Sequence, residues 1–174
     1  MLDHFPAYRE KIEKLKGPIF VFGASGFIGA NLFNDIFKIR QDCYALTHDA
    51  TKAGRLKLLN VPFENIVHCD ILSHNSVREI FDKYKPQTIF NLAAYGAYSK
   101  QNNINLTYET NVIGTVNLLE NCTTDMVYIH AGSSSEYGSN CTAPKESDQV
   151  LPNSHYAVSK VSAAYLLEFY AKQH

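Results

Sequence analysis

Tyr156 and Lys160 stand four residues apart in the stretch Tyr156-Ala157-Val158-Ser159-Lys160. On a helix, positions i and i+4 share a face, so a phenol and an ammonium project together. A nearby cation favours the phenolate and brings the tyrosine towards use as a general base. Upstream lies a run of hydroxyls, Gly132-Ser133-Ser134-Ser135-Glu136-Tyr137-Gly138, whose serines can hydrogen-bond a substrate oxygen. Far earlier comes Gly23-Ala24-Ser25-Gly26-Phe27-Ile28-Gly29, between the apolar run Ile19–Phe22 and the apolar-periodic stretch Leu32-Phe33-Ile36-Phe37. Its spacing is G-x-x-G-x-x-G rather than the G-x-G-x-x-G of the dinucleotide fingerprint. Its physics is the same: a tight turn, a close backbone approach, and helix N–H groups offered to a pyrophosphate. Taken singly, each feature has a bland reading. A tyrosine–lysine pair usually decorates a surface, a serine cluster is usually a loop, and many glycine turns bind nothing. Their order along one chain changes that weighting.

The elements that must position these groups alternate. Residues 18–22 read as a strand, followed by the glycine turn and a helix to about Lys38. Cys43–Thr47 is a second strand, with a short helix around Lys52–Leu59. Ile66–Cys69 is a third strand, and Ser73 caps a helix to about Tyr84 that Lys85-Pro86 ends. Gln87–Leu92 is a fourth strand, Asn103–Cys122 a long helix, and Met126–His130 a fifth strand. Residues 131–153 form a loop, and a last helix covers 154–172. Short apolar strands alternating with helices predict an α/β fold, a doubly wound parallel sheet with helices on both faces. Ligands then sit at the C-terminal strand ends. Two more stretches fall there. At Asp70-Ile71 a carboxylate can accept from an adenine amino group while the isoleucine covers the ring. At Asn91-Leu92-Ala93-Ala94 small residues let the main chain lie along a flat cofactor. Residues 1–17 read as an N-terminal helical extension, with Tyr8, Ile12 and Leu15 at helical spacing.

The chain has 174 residues, 16 Lys plus Arg against 17 Asp plus Glu, and apolar runs too short to span a bilayer. The balance points to neither nucleic acid nor a membrane surface. Met1-Leu2-Asp3-His4 lacks the pattern of a signal peptide. Cys43, Cys69, Cys122 and Cys141 are widely spaced, which predicts reduced structural thiols, no metal site and a cytoplasmic protein.

Jointly, Gly23-x-x-Gly26-x-x-Gly29, Asp70-Ile71, Asn91-Leu92-Ala93-Ala94, Asn111-Val112-Ile113-Gly114-Thr115, the serine-rich turn ending Tyr137-Gly138, and Tyr156-x-x-x-Lys160 resemble the extended short-chain dehydrogenases/reductases. The similar group is that of the NAD(P)-dependent nucleotide-sugar epimerases and dehydratases, and the resemblance covers about residues 18–174. It implies a Rossmann domain binding NAD(P) through Gly23, Ser25, Gly26, Phe27, Ile28, Gly29, Thr47, His48, Asp70, Ile71, Leu92, Ala93, Ala94, Asn111, Tyr156 and Lys160. It also implies that Tyr156 takes a proton from a sugar hydroxyl, that Lys160 binds the nicotinamide ribose, and that a serine bonds the reacting oxygen. Counting back from Gly138 gives Ser133, and a one-residue gap gives Ser134. Ser134 is slightly favoured, and both stay open. The dehydratase branch adds an acid after that hydroxyl. An ungapped match puts Ser134 and Ser135 there, and a gapped match makes Glu136 the acid. A 4-epimerase or ketoreductase needs fewer assumptions.

NAD-selective relatives carry an acid at the end of the second strand, where this chain has Thr47, then His48, with Asp49 two further on. Lys52 and Arg55 could instead reach a phosphate, so NAD against NADP stays open. The similar enzymes continue well beyond the position of His174 into a substrate domain. The chain is therefore expected to be an N-terminal, cofactor-binding part of such an enzyme. The implied partners are a nucleotide-sugar substrate and a second copy, paired as a homodimer through helices 103–122 and 154–172. The alternative is a non-catalytic NAD(P)-binding module.

Overall fold

The computed structural model describes residues 6–49, 51, 53–140 and 142–173. These fall into two compact units. One holds the described residues up to Asp70 with Asn75–Ala93 and Thr124–His130; the other holds Ile71–His74, Ala94–Thr123 and the residues from Ala131 onward.

The first unit contains a five-stranded sheet of order β3-β2-β1-β4-β5. Its strands are β1 (Ile19–Phe22), β2 (Cys43–Thr47), β3 (Ile66–His68), β4 (Thr88–Asn91) and β5 (Val127–His130), all pairing in parallel. Strand β1 is central and buried along its whole length, as a strand covered on both faces must be. Its alternate residues serve opposite faces. Ile19 and Val21 join the core cluster of Ala30, Phe33 and Ile36, which line one side of helix α2 (Phe27–Phe37). That cluster also takes Ile12 from α1 (Pro6–Glu13) and Leu56 from α3 (Gly54–Leu58). On the other face Phe20 and Phe22 meet Phe81 of α4 (His74–Tyr84), with ring centroids 5.8 and 6.5 Å away. Tyr44 and Tyr84 close the same aromatic group around Phe20. The sheet is therefore doubly wound, a Rossmann fold. Helix α4 stops where Lys85 turns to φ 49° ahead of Pro86.

The second unit is helical. The expected single helix 103–122 is instead α5 (Ile104–Tyr108), a π-helical stretch Glu109–Ile113 and α6 (Gly114–Leu119). The wider π turn coincides with Asn111, whose buried side chain bonds to backbone and side-chain groups outside the helix. The helix also ends earlier than expected. The Asn121 amide donates to the Asn117 carbonyl and the Cys122 thiol to the Leu118 carbonyl, satisfying last-turn acceptors from the side chains. Helix α7 (His155–Gln173) is unbroken, and the Ser154 hydroxyl accepts from Ala157 N in its first turn. Among the described residues no helix is long and apolar enough to cross a membrane.

Phe20 is fully buried against four aromatic rings. Phe20→Ala is expected to lower the free energy of unfolding by about 3–5 kcal/mol, read from urea denaturation.

Candidate functional site

Register sets the first group of residues. Phe22 lies level with Leu46 and Asn91, and Asn91 with His130, so the chain leaves β1 and β4 at one level. Gly23 leaves with φ 72°, and a Cβ there would lie 2.7 Å from Ala93 N and from Leu92 C and O. Both the left-handed backbone and the close approach require glycine. A Cβ at Gly29 would run into the Gly23 carbonyl, so the first turn of α2 can pack on the glycine turn only without a side chain there. Gly26 is the N-cap, and among the described residues no side chain caps it. The first-turn amides at Phe27, Ile28 and Gly29 have no partner within the helix. Phe27 and Ile28 are 71 % and 66 % exposed. This cradle, emptied of side chains and ending on uncapped amides, fits a pyrophosphate.

Around it in the same unit, Thr47 is buried; its hydroxyl donates to the Asp49 carbonyl and accepts from Asp49 N. His48 is exposed. The Asp70 backbone N–H donates to the Ser76 hydroxyl at 3.3 Å. Asn91 is buried; its amide donates to the Tyr128 hydroxyl, and its oxygen accepts from Ala93 N, which shapes the exit of β4. Arg55 is exposed, and its Nη1 donates to the Ser25 carbonyl at 3.1 Å. Lys52 lies outside the described residues, as does Cys141. Burial pushes the Cys69 and Cys122 thiols up to about 11 and about 12, and raises that of Cys43 as well.

The second unit holds the other group. Lys160 is 3 % exposed, and its Nζ donates to the Ala131 carbonyl at 2.6 Å. A buried lysine is rare without partners. Burial lowers its pKa from the ordinary lysine value, and the Glu136 carboxylate partly opposes that. Glu136 belongs to a capping box on the 3₁₀ turn Ser134–Tyr137. Its Oε1 accepts from Ser133 N at 2.7 Å, while the Ser133 hydroxyl accepts from Ser135 N at 3.2 Å. Ser133 is half-buried and Ser134 exposed. Gly138 leaves this turn with φ 48°, pressed against the Leu151 carbonyl.

Tyr156 is half-buried one turn before Lys160 on α7. The Ser159 hydroxyl donates to the Tyr156 carbonyl at 2.7 Å and accepts from the Asn111 amide at 2.9 Å. Asn111 also donates to Tyr95 O and accepts from Tyr95 N, both at 2.8 Å. Ile71 is buried and packs on Gly114; Ala94 is exposed. Sequence reasoning missed Ser159. The available signal was a small hydroxyl between Tyr156 and Lys160, but its partner lies 48 residues upstream.

The parallel strand order and the glycine cradle at the end of β1 define a Rossmann fold of the nucleotide-binding type. A sequence profile of the NAD dependent epimerase/dehydratase family matches residues 19–174, and the chain belongs to that family. It is similar to dTDP-glucose 4,6-dehydratase of Salmonella typhimurium, 28 % identical in a match that covers 86 % of this chain and 49 % of that one. UDP-glucuronic acid 4-epimerase from Bacillus cereus in complex with NAD superposes with a TM-score of 0.71 at 27 % identity, covering 88 % of this chain and 52 % of that one. dTDP-glucose 4,6-dehydratase from Bacillus anthracis in complex with NAD gives a TM-score of 0.70 at 25 % identity, over 90 % and 51 %. The chain thus spans about half the length of the curated relatives it matches.

Lys160 makes stability pH-dependent with a definite sign. Its folded pKa lies below its ordinary value of 10.5, so the unfolded chain binds more protons between the two values. The cost of burying the charge is therefore fully present below the folded pKa and is relieved as pH rises towards 10.5. The unfolding free energy of the wild type minus that of Lys160→Met is expected to increase from neutral pH to pH 10, measured by chemical denaturation at each pH.

Proposed function

We propose that this chain supplies the NAD(P)-binding and proton-transfer parts of a nucleotide-sugar 4-epimerase or 4-ketoreductase, with residues 18–174 as the cofactor domain. The observation that carries the reading is the buried Lys160, tied to the carbonyl that leads into the serine turn and one helical turn after Tyr156. The NAD in both superposed complexes supports the choice of cofactor.

The backbone amides of Phe27, Ile28 and Gly29 hold the pyrophosphate, with Gly23, Ser25 and Gly26 shaping the turn. Asp70 and Ile71 take the adenine; Thr47 and His48 border its ribose. Leu92, Ala93, Ala94 and Asn111 shape the chain that lies along the dinucleotide. A bound NAD(P) would supply hydride-transfer chemistry at the sugar carbon. Tyr156 accepts the proton of the sugar hydroxyl. Lys160, a cation in a low-dielectric setting, stabilises the phenolate and anchors the nicotinamide ribose. Ser133 is the better-placed hydroxyl for the reacting oxygen. Its backbone N–H and its side chain are both engaged in the cap, and a hydroxyl that accepts from Ser135 N keeps its own proton to donate. Ser134, exposed, has no such fixing.

A dehydratase needs an acid that is able to deliver a proton at this turn. Glu136 is held on Ser133 N at 2.7 Å, which favours the epimerase or ketoreductase reading over the dehydratase one. Self-association would run through the helical unit. Tyr165 and Phe169 are 62 % and 55 % exposed on α7, and Ile104 and Ile113 are 47 % and 51 % exposed on α5 and the π stretch.

The chain is to be incubated with NAD(P) and UDP-, GDP-, CDP- and dTDP-sugars, following sugar products by NMR and reduced cofactor by absorbance. Tyr156→Phe is expected to lower turnover by at least ~100-fold while cofactor affinity stays within about twofold. Cofactor binding with every sugar inert would leave the non-catalytic module. Light scattering is expected to give a dimer that Tyr165→Glu with Phe169→Glu converts to monomer; a monomeric wild type at micromolar concentration would remove the dimer.

A further inference from the structure

We propose that Arg40 is a latch on which the folding of α1 depends: its guanidinium, held in a fork by Asp42, caps the carboxyl end of α1 and straps residues 13–17 across the amino ends of the strands. Helix α1 precedes the stretch that the family profile matches. At eight residues it is too short to be stable in water by itself. Its two i,i+4 ion pairs, Arg9–Glu13 at 2.9 Å and Lys14–Glu10 at 2.5 Å, are exposed, and such pairs contribute little.

The carboxyl end of α1 is satisfied from two sources. The Glu10 and Ile12 carbonyls accept locally from Lys14 N and Leu15 N, both at 3.2 Å. The next two acceptors are served from beyond α2. Arg40 Nη1 donates to the Leu15 carbonyl and, at 3.4 Å, to the Glu13 carbonyl. A cation at this end also complements the helix dipole. The latch is itself held. Asp42 takes the other side of the guanidinium, Nε to Oδ1 at 3.0 Å and Nη2 to Oδ2 at 2.6 Å, which is the bidentate geometry. The Arg40 N–H donates to the Ile36 carbonyl of α2, and the Asp42 carbonyl accepts from Ile19 N of β1, both at 2.8 Å.

The chain then crosses the sheet. Gly17 passes over the fork, and a Cβ there would run into the Asp42 carboxylate and the Arg40 guanidinium. The Lys16 carbonyl accepts from the Thr88 hydroxyl at 2.7 Å, and Lys16 Nζ donates to the Asp125 carbonyl at 3.4 Å. Residues 13–17 are thus bonded to the chain that opens β2, β4 and β5, and they run on into β1. Ile12, 4 % exposed, is the apolar peg of the same strap and belongs to the core cluster. The strap is an order–disorder device. With the latch closed, α1 is a helix on the core. With it broken, α1 melts and Ile12 leaves the core, while the sheet keeps its own ladders.

Hydrogen exchange of the full chain, read by mass spectrometry, tests this by comparing residues 9–16 with β1, β4 and α7. Arg40→Gln is expected to speed exchange in 9–16 at least about tenfold and to leave the other three within about twofold. Asp42→Asn should give part of that effect alone and add nothing to Arg40→Gln. Arg40→Lys, which restores a donor without the fork, should fall between wild type and Arg40→Gln. Lys14→Gln removes only a surface pair and should stay within about twofold of wild type. Exchange in 9–16 unchanged by Arg40→Gln overturns the latch, and so does a rise spread equally over the sheet. Additive effects of the Arg40 and Asp42 changes overturn the fork. If Arg40→Gln does not fold by circular dichroism, Arg40→Lys carries the comparison: faster exchange confined to 9–16 supports the latch, and no change or a uniform rise overturns it.

Discussion

Strands β1 and β4 run side by side to the same level and then part, and no side chain fits between their onward chains at Gly23. That constraint organises the first unit. Because Gly23 lies against Leu92 and Ala93, the chain must turn at once, and α2 begins within four residues on uncapped amides. Because α2 begins there, Gly29 meets the turn and Ala30, Phe33 and Ile36 face the sheet. The apolar core and the anion cradle are therefore consequences of one backbone contact. A ligand adds nothing to the fold's logic; it occupies donors that the helix cannot satisfy itself.

The helical unit is organised by a polar clamp. Asn111 holds both backbone groups of Tyr95 and reaches Ser159, which bonds in turn to the Tyr156 carbonyl. Buried amides of this kind are costly unless every group is satisfied, and here they are. The π turn is the local distortion that accompanies the clamp. Lys160 extends it to the serine turn through Ala131, and Glu136 closes that turn on Ser133. Four polar side chains thus fix the backbone from which Tyr156 projects.

Much of this was legible in the residues. The strands announce themselves because β1 is a uniform apolar run and β2 a mostly apolar one; Cys43–Thr47 has the same ends in sequence pattern and structure. The glycine turn and the Tyr156–Lys160 spacing carry local rules, so they need no tertiary knowledge. What escaped depends on partners distant in sequence. The π turn at Glu109–Ile113 has a helical sequence, and the groups that Asn111 bonds there, on Tyr95 and Ser159, are distant along the chain. The capping box of Ser133 and Glu136 obeys a local rule, yet a short serine-rich stretch reads as loop until its hydrogen bonds are known. Arg55 is open to the sequence as a phosphate contact, but its hydrogen bond to the Ser25 carbonyl spans 30 residues and is not.

The strand order has a consequence for how the chain is made. Ile19 pairs with Cys43 on one side and with Thr88 on the other. During synthesis β1, β2 and β3 emerge first and can zip together in sequence. The second edge of β1 waits for β4, with its backbone groups unpaired and its apolar side chains half covered. The most buried strand of the finished protein is thus, for that interval, the open margin of a three-stranded ribbon.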